Sequence, residues 1–322
     1  RLSTSYLPGT TLAQAQLVPK ISLVTIDRLS DLVAHLNGDD PLSVIATGKG
    51  RLEPVLTEVS GPQLSEVVGQ DIAKRVLEIA AAGGHNVLLN GPPGTGKSML
   101  ARALPSLLPP LSREEMLEVT QLHSLASHEY EKLVVDRPFR SPHHSSSLSA
   151  LIGSLQPGEI TLSHHGVLLL DELPEFRREA LEALRGPLET RVIGLAKAGG
   201  HIEFPANFIL VATANPCACG FYSVAGATCR CQPAEIARYQ TKLSGPILDR
   251  IDLFASVHEV DHERLLTQPA DPFADRLVRE GIVAARKRQK GRLNASLTNH
   301  QLQAKAKLTP AATKLLNSAA KS

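Results

Sequence analysis

The chain has 322 residues, of which 43% are hydrophobic and 20% charged, and its net charge is +2. This apolar content can bury a core, which excludes a mainly disordered protein, and no apolar run approaches the roughly 18 residues of a membrane span, which excludes an integral membrane protein. Because the first residue is Arg1 and not Met, we expect a fragment or a processed chain.

Residues 1–60 are expected to form a tail or linker left from a truncated N-terminal domain. Their periodic patterns are broken by four prolines, Pro8, Pro19, Pro41 and Pro54. One amphipathic stretch, Ile26–Leu36, has apolar residues at helical spacing and predicts a short helix.

Residues 61–262 are expected to form an α/β domain with a parallel sheet, because short apolar runs alternate with helical patterns. The predicted strands are His85–Asn90, Val167–Leu170, Phe208–Ala214 and Leu253–Val257. The predicted helices are Gln70–Ala82, Ser98–Leu108, Arg113–Glu118, Arg177–Leu188 and Pro233–Leu243. Between them, residues 191–204 predict a β-hairpin inserted into the connections of the sheet.

The segment Gly91–Ser98 reads GPPGTGKS and matches the phosphate-binding loop G-x-x-x-x-G-K-[ST], directly after a strand and at the start of a helix. Glycines let successive backbone N–H groups surround phosphate oxygens, and the helix N-terminus adds a partial positive charge. We expect Lys97 to reach the β- and γ-phosphates and the Ser98 hydroxyl to ligate Mg²⁺. The residues expected to contact the nucleotide are Gly91, Pro92, Pro93, Gly94, Thr95, Gly96, Lys97, Ser98 and Met99.

The apolar strand Val167–Leu170 ends in two acids, Asp171 and Glu172. Alone, this pattern can simply mark where a strand reaches solvent. Together with a phosphate-binding loop, it predicts that Asp171 helps to hold Mg²⁺ and that Glu172 activates the water that attacks the γ-phosphate.

Two further residues are ambiguous by themselves. Asn215 follows the next apolar strand, where an amide can position the attacking water, but Asn before Pro216 is equally typical of a turn. Arg250 lies between Asp249 and Asp252, a pattern that fits a surface ion pair of little energetic value.

All four cysteines lie in one window as two C-x-C pairs, Cys217/Cys219 and Cys229/Cys231. Their clustering predicts a Cys₄ zinc site that would fold this loop (residues 217–231), with free thiols as the alternative because the spacing is tighter than C-x₂-C. Disulfides are not expected in a cytoplasmic, ATP-using protein.

The paired histidines, His143-His144 and His164-His165, are a weaker metal candidate, because no carboxylate lies nearby at helical ligand spacing.

Residues 263–322 are expected to form a basic helical lid. From Arg276 to Ser322 there are 11 lysines and arginines and one acid, whereas residues 1–275 hold 23 basic and 31 acidic residues. This asymmetry favours an acidic partner such as nucleic acid, but a solvated basic helix face explains it as well. Aromatic residues are scarce, with no Trp, so any DNA contact should be to phosphates and not by base stacking.

In their order and spacing, these elements resemble the AAA+ ATPases. Several stretches resemble the Mg-chelatase-like branch, and within it the bacterial YifB/ComM family: Phe139–His144, Pro157–Ile160, His165–Phe176, Phe204–Phe208, Asn215–Cys217 and Leu243–Asp252.

The resemblance implies properties that composition and spacing do not give. It implies a hexameric ring, Arg250 as an arginine finger acting in trans, the 191–204 hairpin as an insert that points to the central pore, and adenine contacts at Val68, Gly69 and Gln70. Members of this family carry a complete N-terminal Lon-protease-like domain, of which residues 1–60 are expected to be only the end. Their lid continues beyond the position of Ser322, and the sensor-2 arginine is expected in that part. ComM proteins are similar to DNA helicases that drive branch migration during integration of transforming DNA.

The leading interpretation is therefore an ATP-hydrolysing, cytoplasmic ring motor that acts on single-stranded or branched DNA. One alternative is the motor subunit of a magnesium chelatase, although such a motor needs neither the C-x-C pairs nor the basic C-terminal segment. Another is a nucleotide-gated scaffold with little turnover, against which Glu172 argues.

Overall fold

A computed structural model describes residues 4–16, 21–46, 61–126, 133–197, 200–224, 226–243, 247–260, 262–267 and 269–320. Pro19, Pro54, the hairpin turn at 198–199 and residues 244–246 lie outside the described residues. The strands are β1 (Thr4–Leu7), β2 (Ser22–Thr25), β3 (Val44–Ala46), β4 (Val87–Asn90), β5 (Phe139–Arg140), β6 (Val167–Leu170), β7 (Val192–Lys197), β8 (Gly200–Pro205), β9 (Ile209–Ala214) and β10 (Leu253–Ser256). The helices are α1 (Leu12–Ala15), α2 (Leu29–Asn37), α3 (Asp71–Gly83), α4 (Lys97–Leu107), α5 (Arg113–Ala126), α6 (Leu148–Ile152), α7 (Glu159–Leu162), α8 (Arg178–Thr190), α9 (Pro233–Lys242), α10 (His262–Thr267), α11 (Pro272–Arg288), α12 (Asn299–Lys305) and α13 (Pro310–Ala319).

The central element is a five-stranded sheet in the order β10-β4-β9-β6-β5, and all its pairs are parallel. The α/β prediction is confirmed, and each of the four predicted strands lies within two residues of the observed bounds. The sequence pattern missed β5, which has only two residues. It also stopped α5 at Glu118, whereas the helix continues to Ala126.

Helices cover both faces of this sheet because side chains alternate along each buried strand. In β4, Val87 and Leu89 join the core that α3 and α4 supply on one face, with Leu77 and Leu104 among its fully buried members. The intervening Leu88 joins the opposite core, to which α8 contributes. A strand buried on both faces reads as a continuous apolar run, which is why the sequence showed it.

A buried amide at the start of β4 fixes the amino edge of the sheet. The Asn86 side chain, 4% exposed, donates from Nδ2 to the Arg250 carbonyl at 2.8 Å and accepts at Oδ1 from the Leu210 backbone N–H at 2.9 Å. Each of these backbone groups would cost about 1–3 kcal/mol if left unsatisfied. One side chain thus stabilises the alignment of β4 with both of its neighbours.

The predicted hairpin is confirmed as the antiparallel pair β7–β8, which forms its own two-stranded sheet. Its register runs from Val192 opposite Pro205 to Lys197 opposite Gly200. Ile193 and Phe204 are buried at the base of the hairpin, and Ile193 belongs to the core to which α8 contributes.

The first 46 residues contain more structure than the expected tail with one helix. Besides α2, which falls within three residues of the prediction, they form a three-stranded sheet in the order β1-β2-β3. Leu23 and Val24 are buried in it. The apolar residues Leu29, Val33 and Leu36 of α2 are at least half exposed, so their helical spacing does not reflect burial.

The C-terminal segment is helical, as expected. Ile282 of α11 is 3% exposed and packs into the core that contains α3. The buried Asp275 carboxylate accepts hydrogen bonds from the backbone N–H of Ser65 at 2.9 Å and from its hydroxyl at 2.5 Å. These contacts attach α11 to the start of the α/β unit. Among the helices of the described ranges, none combines the length and hydropathy that a membrane crossing requires.

Candidate functional site

The phosphate-binding loop lies between β4 and α4, at the carboxyl edge of the sheet. Gly94 and Gly96 have φ values of +79° and +87°, in the left-handed region that favours glycine. A Cβ atom on Gly91 would come within 2.1 Å of the Val257 carbonyl oxygen, so a larger residue does not fit there. The Thr95 hydroxyl donates to the Pro92 carbonyl at 2.9 Å and braces the loop.

Lys97 is 9% exposed and sits inside this loop. Its Nζ donates to the carbonyls of Gly91 and Pro92 at 2.8 and 2.7 Å and to Asn215 Oδ1 at 3.0 Å. Burial lowers the pKa of Lys97, and the negative charges of Asp171 and Glu172 oppose that shift. The structure therefore brings Asn215 to the ammonium group, as expected for a residue at this strand end.

Asp171 is the hub of a hydrogen-bond network that joins the loop to two strands. Its Oδ2 accepts from the Ser98 hydroxyl at 2.9 Å, and its Oδ1 accepts from the Thr213 hydroxyl at 2.6 Å. Thr213 in turn accepts from the backbone N–H of Glu172 at 2.9 Å. The sequence analysis assigned no role to Thr213. The feature that could have indicated one is a hydroxyl two residues before Asn215 in an otherwise apolar strand.

Glu172 adopts a left-handed backbone conformation, with φ +57°. A non-glycine residue in this region is uncommon, and such strain is often found at functional sites. The side chain is 53% exposed, and His144 Nδ1 lies 3.9 Å from its Oε2. Its carboxylate is thus held beside Asp171 and remains accessible to solvent.

The three residues expected to contact adenine lie next to the same loop. Gln70 Nε2 donates to the His258 carbonyl at 2.5 Å and to the Thr95 carbonyl at 3.3 Å, so its amide connects the phosphate-binding loop to the segment after β10. Gly69 has φ +64°, and a Cβ there would contact Val260 at 3.3 Å. Val68 is half-buried, and Met99 in the first turn of α4 is exposed.

Arg250 is separate from this cluster. Its backbone carbonyl is bound by Asn86, which places it at the amino edge of the sheet, before β10. Its guanidinium pairs with Glu189 at the end of α8, and not with the flanking Asp249 or Asp252. The hydrogen bond from Arg250 is the main reason that the pKa of Glu189 is lowered. Lys97, Ser98, Asp171, Glu172 and Asn215 therefore meet within one chain, and Arg250 does not join them.

The four cysteine sulfur atoms lie within 4.8 Å of one another. The Sγ atom of Cys217 is 3.4 Å from that of Cys219 and 3.7 Å from that of Cys229. Sulfur atoms bound to one tetrahedral Zn²⁺ at 2.3 Å are about 3.8 Å apart, so this arrangement fits such an ion. Backbone N–H groups of Arg230 and Phe221 lower the pKa of Cys219 to about 6.

This Cys₄ loop packs directly on the phosphate-binding loop. Gly220 has φ +87°, and a Cβ there would approach Pro93 Cδ to 2.5 Å. Cys217 is also only two residues beyond Asn215, whose amide contacts Lys97. A change in the position of the cysteines would therefore displace Pro93 of the phosphate-binding loop and Asn215, which contacts Lys97.

A second cluster joins Glu118 to the histidines at 164 and 165. Glu118 Oε2 lies 3.2 Å from His164 Nε2 and 2.7 Å from His165 Nε2. His164 Nδ1 accepts from the backbone N–H of Asn207 at 3.0 Å, so the neutral ring carries its proton on Nε2 and donates it to Glu118. Burial lowers the pKa of His164 to about 4, which favours this neutral form. The three ligand atoms lie within 4.8 Å of one another, so the expectation that no carboxylate lies near these histidines is wrong: Glu118 contacts both.

Comparisons with known proteins indicate the family to which this chain is related. The family described as magnesium chelatase, subunit ChlI, matches residues 63–265. The chain is 42% identical over 303 residues to the uncharacterized protein YifB of Salmonella typhimurium, a match that covers 90% of this chain and 58% of that protein. It is 40% identical over 312 residues to the competence protein ComM of Haemophilus influenzae, covering 92% of this chain and 59% of that protein.

Among solved structures, a complex between the BchI and BchD subunits of magnesium chelatase is similar at 23% identity and a TM-score of 0.41, covering 70% of this chain and 74% of that one. A similarity at this level carries no argument. The chain spans about three fifths of the length of the two curated relatives. Because the family match covers well over half of the residues and includes the whole carboxyl-edge site, the chain belongs to the magnesium chelatase subunit ChlI family of AAA+ proteins, on the branch that includes YifB and ComM.

Proposed function

We propose that this chain carries the ATPase core of a ring-forming AAA+ motor that acts on DNA. The observation that supports hydrolysis best is the network at the carboxyl edge, where Ser98, Asp171 and Thr213 are joined by hydrogen bonds of 2.9 and 2.6 Å, with Glu172 beside them. A protein that only binds nucleotide needs the loop and the Mg²⁺ ligands. The adjacent accessible carboxylate is the additional group that hydrolysis requires.

In this proposal Lys97 exchanges the Gly91 and Pro92 carbonyls for β- and γ-phosphate oxygens of ATP. Ser98 and Asp171 would hold Mg²⁺, which would supply positive charge to neutralise the phosphates, and Asn215 would orient the attacking water. Glu172 accepts a proton from that water as its oxygen bonds to the γ-phosphorus and the bond to the bridging oxygen breaks, so that ADP and phosphate leave. Val68, Gly69 and Gln70 would contact the adenine.

Arg250 would serve the neighbouring subunit. Its guanidinium lies at the opposite edge of the sheet from its own Lys97, held by Glu189, so it would reach a γ-phosphate only across a subunit interface. This geometry supports a homo-oligomeric ring, for which the family resemblance suggests six subunits. The β7–β8 hairpin would face the pore of that ring.

The basic C-terminal segment supports DNA as the partner. Most of its described lysines and arginines are exposed, some on α11, α12 and α13 and others, such as Lys290, Arg292 and Lys307, between these helices, so they can meet phosphates without burial. The ComM relative, named a competence protein, favours a role in natural transformation, with helicase or branch-migration activity in the cytoplasm. The chelatase motor is the second candidate, because the matching family is named for a chelatase subunit.

Branched DNA should increase the ATPase rate of the intact protein several-fold, and the stimulation should fall steeply with salt because phosphate contacts release counterions. The measurement is the rate of phosphate release with and without a four-way DNA junction between 50 and 200 mM salt. The variant K305Q/K307Q/K314Q should keep the DNA-free rate and lose part of the salt dependence. A rate that is substantial and unaffected by DNA would favour the chelatase motor, and a near-zero rate would favour a scaffold.

Lys97→Ala should weaken ATP binding and abolish hydrolysis, because the phosphates lose their main counter-charge. Glu172→Gln should bind ATP with unchanged affinity and hydrolyse it about 10²–10⁴-fold more slowly, because only the base is lost. Glu175→Gln, a nearby exposed carboxylate paired with Lys242, is the matched control and should hydrolyse ATP normally. Equal rates for Glu172→Gln and Glu175→Gln would contradict the role of Glu172.

Arg250→Ala should bind ATP and lose about 10³–10⁵-fold in hydrolysis rate, the usual contribution of an arginine finger. Mixing it with Lys97→Ala should restore part of the activity, since some interfaces then pair an intact loop with an intact finger. Glu189→Gln, which removes the charge that pairs with Arg250 and with Arg185 in its own chain, should remain active. No recovery in mixed rings confirmed by native mass spectrometry would make Arg250 a structural residue.

We also propose that Cys217, Cys219, Cys229 and Cys231 bind one zinc ion. Their sulfur spacing supports the ion, and the loop has little apolar mass of its own to hold its shape. Because Gly220 packs on Pro93, the ion would also stabilise the phosphate-binding loop.

Elemental analysis of the dialysed protein should give close to one zinc per chain, and Cys219→Ser/Cys231→Ser should give close to none. The same variant should bind nucleotide more weakly, because the support of Pro93 is lost. Ser65→Ala, which is remote from the loop, controls for a general loss of stability through its contact with Asp275. A folded, fully reduced and metal-free protein would exclude the zinc site.

A further inference from the structure

A cavity of about 520 Å³ opens at the amino edge of the five-stranded sheet. Its wall includes Gly166 and Phe208, which directly precede β6 and β9, so it lies at the opposite end of the strands from the phosphate-binding loop. A four-residue strand spans about 13 Å, which sets the separation of the two sites. The cavity is therefore not part of the nucleotide site.

Four arginines from different parts of the chain line this cavity: Arg137, Arg191, Arg286 and Arg292. Among the described residues of its lining, Glu115 is the single carboxylate, and it pairs with Arg137 at 3.2 Å. No ion pair within 4.0 Å joins the other three arginines to a carboxylate in the described ranges. With four arginines and one carboxylate, the lining carries an excess of positive charge, which Glu115 reduces at Arg137 and Arg286 and Asp252 reduces at Arg191.

Backbone carbonyls hold these guanidinium groups in place. Arg137, whose side chain is 9% exposed, donates from Nη1 to the His165 carbonyl at 2.7 Å. Arg286 Nε donates to the Ala81 carbonyl at 2.9 Å, and Arg191 Nη1 donates to that of Phe208 at 3.0 Å. A carbonyl fixes the direction of a guanidinium but does not neutralise it. Arg286 and Arg191 are therefore held in a preset orientation without a paired carboxylate, whereas Arg137 also donates to the Pro109 and Pro110 carbonyls and to Glu115.

Two of these charges are close enough to repel each other. Burial is the main cause that lowers the pKa of Arg286, to about 10, and the positive charge of Arg137 lowers it further. Both groups remain charged near neutral pH. Glu115, which pairs with Arg137, offsets part of this repulsion at Arg286. A negatively charged ligand beside Arg286 would offset it further, and guanidinium groups bind phosphate oxygens through paired hydrogen bonds.

We propose that this cavity binds a small phosphorylated molecule at a second site, distinct from the ATP site. Its volume lies in the range of small-ligand pockets, and mononucleotides and nucleoside polyphosphates fall in this class. The recessed Arg137 favours a small ligand over a DNA backbone, which would meet only the outer Arg292. Because Arg286 lies on α11 and Arg191 directly precedes the hairpin, a ligand here would connect the C-terminal helices to β7.

The probe is inorganic pyrophosphate without Mg²⁺, titrated calorimetrically into the Lys97→Ala variant so that the phosphate-binding loop does not contribute. In that background, Arg286→Gln/Arg292→Gln should weaken pyrophosphate binding at least about tenfold, because two charged hydrogen-bonding partners are lost. The matched control, Lys287→Gln/Arg288→Gln, removes two exposed charges next to the cavity and should change the affinity less than about threefold. The readout does not require hydrolysis, so its failure is separable from failure of the proposed motor function.

Arginine footprinting on the Lys97→Ala protein keeps the test valid if the double variant does not fold. Pyrophosphate should protect Arg286 and Arg292 from phenylglyoxal and leave Arg288 reactive, as read by peptide mass spectrometry. Absence of binding, equal losses in both double variants, or protection of Arg288 to the same extent would overturn the proposal. Protection of the cavity arginines by duplex DNA, but not by pyrophosphate, would also overturn it in favour of a nucleic-acid contact.

Discussion

The parallel pairing of β4, β9 and β6 is the constraint on which the rest of the structure depends. Because these strands are adjacent and run the same way, the residues that follow them meet at one edge. The Lys97–Asn215 contact of 3.0 Å and the Ser98–Asp171 contact of 2.9 Å both follow from this pairing. The buried Asn86 amide stabilises it from the other end, since it bonds to the backbone next to β10 and at the start of β9.

The two edges of this sheet have different electrostatic character. At the carboxyl edge, Asp171 and Glu172 lie close to the Lys97 ammonium, so the positive charge is balanced within the protein. At the amino edge, Arg286 and Arg191 are directed by backbone carbonyls, which leave their charge in place. The carboxyl edge therefore suits an anion that is accompanied by a divalent cation, and the amino edge suits an anion without one.

The Cys₄ loop and the C-terminal helices connect the site to the rest of the chain. Gly220 contacts Pro93, so the shape of the cysteine loop bears directly on the phosphate-binding loop. Helix α11 reaches the core through Ile282 and the amino edge through Arg286. A movement of the C-terminal helices would therefore change the amino edge of the sheet, which lies opposite the phosphate-binding loop. The Arg250–Glu189 pair lies at the same edge.

The sequence alone determined the strands β4, β6 and β9, because strands buried on both faces are continuous apolar runs that can be read locally. It also identified the phosphate-binding loop and the acids at the end of β6, since spacing within one short segment defines them. The cysteine cluster was visible for the same reason. In each case the information lies within about a dozen neighbouring residues.

The tertiary structure decided what depends on residues far apart in the chain. The role of Thr213 requires the pairing of β6 with β9, and the partner of Arg250 is Glu189, 61 residues away, where the sequence offered only the flanking acids. Strands β3 and β5, with three and two residues, are too short to show a period. Strands β1 and β2 include polar residues and are only partly buried, so they lack the continuous apolar run that marks β4. The arginines of the cavity come from positions as far apart in the chain as Arg137, Arg191 and Arg286. No local pattern encodes this convergence, because only the folded chain brings these residues together.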